Sequence, residues 1–178
     1  MKCGDLSQSN KAVANHHFKF KNLRAYPLCS VKIEVYNKQK NLPIPSLAVK
    51  KIVRAVIALE KNVCDEVSLH FVTEKKICEL HSEYFNDASI TDCISFPMDD
   101  INVNIGYRIL GEVFVCPKTA VHYAQKHKSD PFAECTLYLV HGLLHLMGYD
   151  DLQPKDRAAM RRAEKRHLLN LKKLDLML

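Results

Sequence analysis

His141-Gly142-Leu143-Leu144-His145-Leu146-Met147-Gly148-Tyr149-Asp150-Asp151 is the stretch on which the rest of the chain depends. Two histidines stand four residues apart in a run that is otherwise almost wholly apolar. Leu137, Leu139, Val140, Leu143, Leu144, Leu146 and Met147 leave no polar face of the width that a surface helix needs. Such a helix is buried. Asp130 followed by Pro131 marks its start, a capping carboxylate and then a residue preset for the first turn. Gly148 marks its end, because glycine accepts the left-handed conformation that closes a helix. Positions i and i+4 lie one above the other on a helix. His141 and His145 therefore offer two imidazoles side by side from the middle of the core. Buried polar rings need partners, and a metal ion suits both at once.

A catalytic tetrahedral site has three protein ligands and one open position. Beyond the Gly148 turn the next acids are Asp150 and Asp151, which gives the spacing H-x3-H-x5-D. Asp151 is assigned as the third ligand and Asp150 as a group that caps or supports it. Spacing alone permits the reverse assignment, and Asp151 could instead cap the helix that Pro154 opens.

A chain of 178 residues suits one domain with a sizeable core. No apolar run is long enough to span a bilayer. The first residues lack the apolar block of a secretory signal, so the expected location is cytoplasmic. The seven cysteines are irregularly spaced and form no C-x2-C pair, which reads as reduced thiols filling core positions. The net charge of +6 is uneven, with nine Lys or Arg against two Asp or Glu in residues 1–50. A basic balance suits a phosphate-rich partner such as nucleic acid and equally suits a solvated surface.

Residues 1–29 are polar and aperiodic, and are expected to form a loosely ordered extension in which His16-His17 is incidental. Residues 30–178 read as a single metal-hydrolase-like domain. Strands are expected at Val31–Tyr36, Val67–Val72, around Thr91–Pro97 and at Gly111–Val115, from period-two alternation or apolar runs closed by proline. His70 falls on the face opposite Leu69 and Phe71. Between the last two strands, Met98 to Leu110 reads as a hairpin-like excursion. Helices are expected from Leu47 to Asn62 with Ser46 as cap, after Thr73, from Pro117 to Lys128, through the histidine stretch, and from Pro154 to Leu174. The last carries Lys155, Arg157, Arg161, Arg162, Lys165 and Arg166, with Met160, Ala163 and Leu168 turned inward. Its cations read as an RNA-facing edge or as a solvated face. The class is α/β (α+β): one domain, a small mixed four-stranded sheet covered by helices, with a buried central helix carrying the metal-binding histidines.

These residues resemble the YbeY family of bacterial metal-dependent endoribonucleases of ribosomal RNA maturation, whose signature is close to H-G-x-L-H-L-x-G-Y-D-H. His141, Gly142, Leu144, His145, Leu146, Gly148, Tyr149 and Asp150 match it in place. A second family segment, near L-N-x-x-Y-R then P-T-D-V-L-S-F-P, is matched by Leu80, Tyr84, Thr91, Asp92, Ser95, Phe96 and Pro97. Gly111-Glu112-Val113 matches a third, near G-D-I, and Met160 with Glu164 falls where the family has M-x-x-x-E. The resemblance covers roughly Val31 to Leu169. It implies single-strand-directed RNA cleavage in ribosomal RNA processing, including 16S 3′-end maturation, and a part in ribosome quality control. Its metal would be one Zn2+ or another divalent ion on His141, His145 and Asp151. Asp92 and Ser95 would line the substrate cleft. The expected partners are ribosomal RNA and the ribosomal subunit, with neither DNA nor membrane.

Two departures stand out. Asp151 occupies the position of the family's last histidine ligand. Phe85 stands where the family has an arginine implicated in nuclease function, which leaves Arg108 as a candidate substitute. Two rivals to the nuclease are a metal-stabilised, non-catalytic RNA- or ribosome-binding factor and a metalloprotease. The protease motif H-E-x-x-H places a general base beside the first ligand. Gly142 occupies that position here and transfers no proton.

Overall fold

The computed structural model describes residues 31–99 and 106–178. The expected extension at 1–29, with His16-His17, lies outside them. Strand β1 spans Lys32–Asn37, α1 Ser46–Leu59, β2 Glu66–Phe71 and α2 Glu74–Phe85. Strands β3, Cys93–Pro97, and β4, Ile109–Val115, follow. Helices α3, Pro117–His127, α4, Pro131–Leu146, and α5, Pro154–Lys173, complete the chain. The sheet order is β1-β2-β4-β3. β1, β2 and β4 run parallel and β3 antiparallel to β4, so the sheet is mixed as expected. The hairpin geometry begins where Met98 and Asp99 donate their amides to the carbonyls of Leu110 and Ile109. The rest of that excursion, 100–105, lies outside the described residues.

Alternation along the strands divides the sheet into two faces. Val67, Leu69 and Phe71 of β2 and Val113 and Val115 of β4 are fully buried against the helices. Between Glu66 and Ser68 the register shifts: Glu66 lies opposite Ile109 and Ser68 opposite Glu112, a bulge of one residue in β4. On the other face α2 covers only the β3 side, through a small cluster of Val72, Ile77, Leu80, Ile94 and Cys116. His70, on that face as expected, stacks between Tyr36 and Phe114 with centroids 4.8 and 4.3 Å away, and its Nε2 lies 3.2 Å from Glu112.

Helix α4 is the centre of the main core. Leu139, Val140, Leu143 and Leu144 are fully buried, each stabilising the fold by about 1.5–3 kcal/mol relative to exposure. Its ends are as the sequence predicts. Asp130 accepts the Phe132 amide at 3.0 Å, Pro131 opens the first turn, and Gly148 follows with φ +89°. The two histidines are not in the middle of the core, however. Glu134, Leu137, His141 and His145 form one half-open line along α4. The line is a single residue wide and contains a leucine, so its pattern does not register as a polar face. A smaller correction concerns α1. Pro45, extended at φ −71° and ψ 124°, takes the cap position, and Ser46 is the first helical residue.

Helix α5 closes the core with Met160, Ala163, His167 and Leu171; Leu168, expected inward, is only half-buried. His167 is the unexpected member. Its Nε2 lies 2.7 Å from Oε1 of Glu60, just past α1, and its buried Nδ1 has no partner among the described residues. Burial lowers the His167 pKa, aided by the Arg166 charge, and Glu60 offsets this only partly. Neutral His167 therefore donates Nε2–H to Glu60. Burial alone would raise the Glu60 pKa, but bonds from His167 and Tyr149 and the Arg166 charge bring it below the usual 4.5. Both depressed groups contribute stability that is present above their unfolded values and lost as pH falls. The first loss comes below about pH 6.5, as the buried ring must take a proton, and the second below about 4.5. Urea midpoints should therefore fall between neutral and mildly acid pH. In His167→Gln, which keeps a neutral donor, that first fall should flatten. An equal fall in the variant would show the ring to be uninvolved.

Candidate metal centre

The Gly148 turn brings Asp151 back over the half-open line of α4. One nitrogen of His141, one nitrogen of His145 and one Asp151 oxygen all lie within 4.8 Å of one another. Nε2 of His141 is 3.0 Å from Nε2 of His145, 3.8 Å from the nearer Asp151 oxygen, and His145 Nε2 is 3.9 Å from the other. The two acids divide their roles. Asp150 Oδ1 accepts the amides of Asp151 and Leu152 at 2.7 and 3.2 Å, so it is folded onto its own turn. Arg157 braces the same turn, donating to the Asp151 and Leu152 carbonyls at 3.1 and 3.2 Å.

The donor set can be tested for a metal through the rings' other nitrogens. His141 Nδ1 lies 2.7 Å from Glu164 Oε1, and His145 Nδ1 lies 3.0 Å from the Tyr149 carbonyl oxygen. Both partners are acceptors, so each Nδ1 carries the proton and each Nε2 is left bare. Two lone pairs 3.0 Å apart repel unless a proton or a metal ion stands between them. Zinc–nitrogen bonds of about 2.0–2.1 Å in tetrahedral geometry place two ligand nitrogens about 3.3 Å apart. The residues fit a divalent metal, with the carboxylate drawn in by about half an ångström. A carboxylate behind one ligand histidine and a carbonyl behind the other is the usual support for such rings.

The site opens into a cleft of about 380 Å3, walled by Leu137, Tyr138 and His141 from α4, Arg157, Met160, Arg161 and Glu164 from α5, and Asp92 and Asp151. The His141 and His145 side chains are 21% and 28% exposed and that of Asp151 40%, so solvent reaches all three. Asp92 Oδ1 accepts the Cys93 amide at 2.8 Å and the Thr91 hydroxyl at 3.3 Å. Burial would lower the His141 pKa, but the bond to Glu164 and the charges of Glu164, Asp92 and Asp151 raise it above 6.5. Burial and the same acids hold the Cys93 thiol well above its ordinary value, so it stays a neutral thiol.

The family profile of Endoribonuclease YbeY matches residues 34–172. A curated Endoribonuclease YbeY of Protochlamydia amoebophila is 54% identical over 146 residues, covering 82% of this chain and 97% of that protein. The chain belongs to the YbeY family. The Endoribonuclease YbeY of Chlamydia felis is 36% identical over 145 residues, covering 80% of this chain and 92% of its own. A solved solution structure from Thermotoga maritima shares the fold, with TM-score 0.57 and 24% identity, over 78% of this chain and 88% of that one.

Against the YbeY pattern, the structure sorts the residues singled out in the sequence. Asp151, at the family's third histidine position, stands with the two histidines. Asp92 is in the cleft. Ser95 instead faces α4, donating from Oγ to the Gly142 carbonyl at 3.0 Å, and holds helix to sheet. Phe85 is 57% exposed at the end of α2, its ring 5.5 Å from that of His81. Arg108 does not substitute for the family arginine. Its guanidinium donates to the Val63 carbonyl beside the start of β2, away from the cleft lining. The cations lining the cleft are Arg157 and Arg161. The residue missed was Glu164, whose only signal was its place in the M-x-x-x-E match.

Glu164→Gln removes a charge and keeps a hydrogen-bonding side chain. The expected outcome is a 10- to 100-fold weaker metal affinity. The pH below which that affinity begins to fall should also move down, because His141 loses the partner that raises its pKa. Competition titration with a chromophoric chelator across pH measures both. An unchanged pH midpoint would disconnect Glu164 from the ring.

Proposed function

We propose that this chain is a metal-dependent endoribonuclease that cuts single-stranded segments of ribosomal RNA, in the cytoplasm and on ribosomal subunits. The 3′ end of 16S rRNA is the expected substrate, with ribosome quality control as the wider role. Membership of the YbeY family supports the activity. The observation that carries it to this chain is the pair of bare Nε2 atoms beside Asp151 at the floor of an open cleft.

His141, His145 and Asp151 would hold the ion, with Zn2+ the first candidate and another divalent metal the second. Bound there, it would polarise a phosphoryl oxygen and lower the pKa of a water. Arg157 and Arg161 would hold the phosphate backbone. Glu164 keeps the His141 tautomer fixed, so that ring presents a lone pair and no proton. Asp92 is the acid best placed to orient a nucleophile, because only one of its two oxygens is committed to the backbone of its own strand. The carboxylate ligand makes the site less cationic than three imidazoles would, which favours harder metals more than the family pattern does.

A purified sample should cleave a fluorescent unstructured RNA, lose that activity to a chelator, and regain it with one divalent ion per chain. Casein should stay intact, since Gly142 supplies no base. Tight RNA binding without cleavage under every divalent ion tried would favour the non-catalytic reading, for which exposed Phe85 is the supporting observation.

No helix among the described residues is long and apolar enough to cross a membrane. The five cysteines among them, Cys64, Cys78, Cys93, Cys116 and Cys135, are all free. Burial raises the thiols of Cys64 to about 11 and Cys135 to about 12, so they pack as small apolar groups.

A further inference from the structure

Helix α5 has three sides. Met160, Ala163, His167 and Leu171 face the core, and Arg157, Arg161 and Glu164 face the metal cleft. The third side is a second groove, of about 410 Å3, lined by Leu59 at the end of α1 and by Arg162, Lys165, Arg166, Leu169, Asn170 and Lys173. The two cavities are joined by one row. Arg157, Arg161, Lys165, Leu169 and Lys173 follow at intervals of four, so they form a single ridge along the helix. Arg162 and Arg166 flank it.

The charges on this ridge are unusual for a face that is merely solvated. Such faces mix signs, and acids four residues from cations stabilise the helix. Here like charges follow one another at i, i+4, which opposes the helix instead. The two acids within α5 are Asp156, in its first turn, and Glu164, which is turned inward onto His141. Arg166 is paired with Glu60. Among the described residues Arg161, Arg162, Lys165 and Lys173 make no ion pair, and all four are exposed. Leu169, 51% exposed, interrupts the cations inside the groove and offers apolar surface to something that is not purely a polyanion.

We propose that this ridge is a second RNA site, a track that takes the phosphate backbone of a single strand out of the metal cleft and into the α5–α1 groove. The inference rests on the endoribonuclease reading and extends it to where the uncut part of the substrate lies. Single-stranded RNA suits both halves of the surface: phosphates meet the cations, and a base can rest on Leu169 between them. From Arg157 to Lys173 the ridge rises about 24 Å at 1.5 Å per residue. That is the length of about seven nucleotides of a stacked strand. Substrates longer than the cleft should therefore bind more tightly, through contacts distant from the scissile bond.

The test uses the full chain and the variant Arg162→Gln/Lys165→Gln/Lys173→Gln, whose positions are exposed and outside the metal cleft. Affinity for RNAs of about 4 and about 16 nucleotides is measured from about 50 to 200 mM salt, with cleavage of each. The expected result is at least a tenfold weaker binding of the long RNA by the variant. Its salt slope should be shallower by about 2, at roughly 0.7 per phosphate contact on a single strand. Binding and cleavage of the short RNA should be unchanged, and Lys165→Arg alone should behave as wild type. Equal affinity and slope for the long RNA in wild type and variant would overturn the track and leave the nuclease standing. Wild type that binds long RNA through the ridge but never cuts would sink the nuclease and leave the track. Loss of polyglutamate binding in the variant, with RNA binding intact, would assign the ridge to an acidic protein and overturn the proposal. An unaltered thermal midpoint in the variant shows that any loss is of contact and not of fold.

Discussion

In His145→Ala, metal content is expected to fall from one ion per chain to near zero, and RNA cleavage to fall more than about 100-fold. The loss should exceed that of Glu164→Gln, because a bonded atom is removed rather than the carboxylate behind one. The fold should survive. The His145 side chain is 28% exposed, and the Tyr149 carbonyl it leaves behind can turn to water. Metal-free wild type and metal-free variant should therefore unfold within a few degrees of each other, at about 2–4 °C per kcal/mol for a chain this size. Asp151→His makes the complementary point. It restores the ligand type of the family pattern and should keep the ion, with tighter preference for softer metals. Elemental analysis alongside a cleavage assay measures all of this. Full metal occupancy and undiminished cleavage in His145→Ala would remove the mechanism.

What the sequence could tell about this site was set by distance along the chain. Asp130 and Pro131 cap α4, Gly148 ends it, and Asp151 returns to the histidines, all through contacts within a few turns. Alternation likewise placed Val67, Leu69 and Phe71 on the core face of β2, because sheet geometry imposes that period locally. The partners that make the site work are remote. Glu164 is 23 residues from His141, and Glu60 is 107 from His167 and 89 from Tyr149. Their meeting depends on how α1, α4 and α5 pack, and no spacing rule carries that. Ser95 and Arg108 misled for the same reason. Each has a residue type suited to a cleft, but packing turned one onto the Gly142 carbonyl and the other onto that of Val63.

The Tyr149 network shows what such packing achieves. The backbone carbonyl of Tyr149 fixes the His145 ring, while its hydroxyl donates to Glu60 at 3.0 Å. Glu60 also receives His167 and Arg166. His145, one of the proposed metal ligands, is thus oriented by a residue whose far end is anchored in the junction of α1 and α5.

Gly142 is where fold and site meet most tightly, and Gly142→Ala is expected to weaken both. A Cβ there would drive into Cγ1 of Val113 on β4 and stand 3.0 Å from Ser95 Oγ on β3. Val113 is fully buried, so the neighbour has nowhere to go. Overpacking of this kind costs about 1–3 kcal/mol. Alanine's better helix propensity returns about 1 kcal/mol of it. The net loss of up to about 2 kcal/mol should lower the thermal midpoint by up to about 8 °C at the usual 2–4 °C per kcal/mol. A double-mutant cycle with Val113→Ala isolates the contact, and the pair should cost less than the sum of the singles. Additivity would show that helix and sheet are not held apart at this point. The same contact bears on function, because His141 is the preceding residue. If α4 is pushed off the sheet, the two Nε2 atoms move relative to Asp151, and metal affinity should fall with stability. Gly142→Glu, which writes the protease pattern H-E-x-x-H into the chain, would bring a carboxylate against Val113 where no base could work. It should yield a poorly folded protein without peptidase activity. The glycine that argues against peptide hydrolysis on chemical grounds is thus required here by the approach of α4 to the sheet.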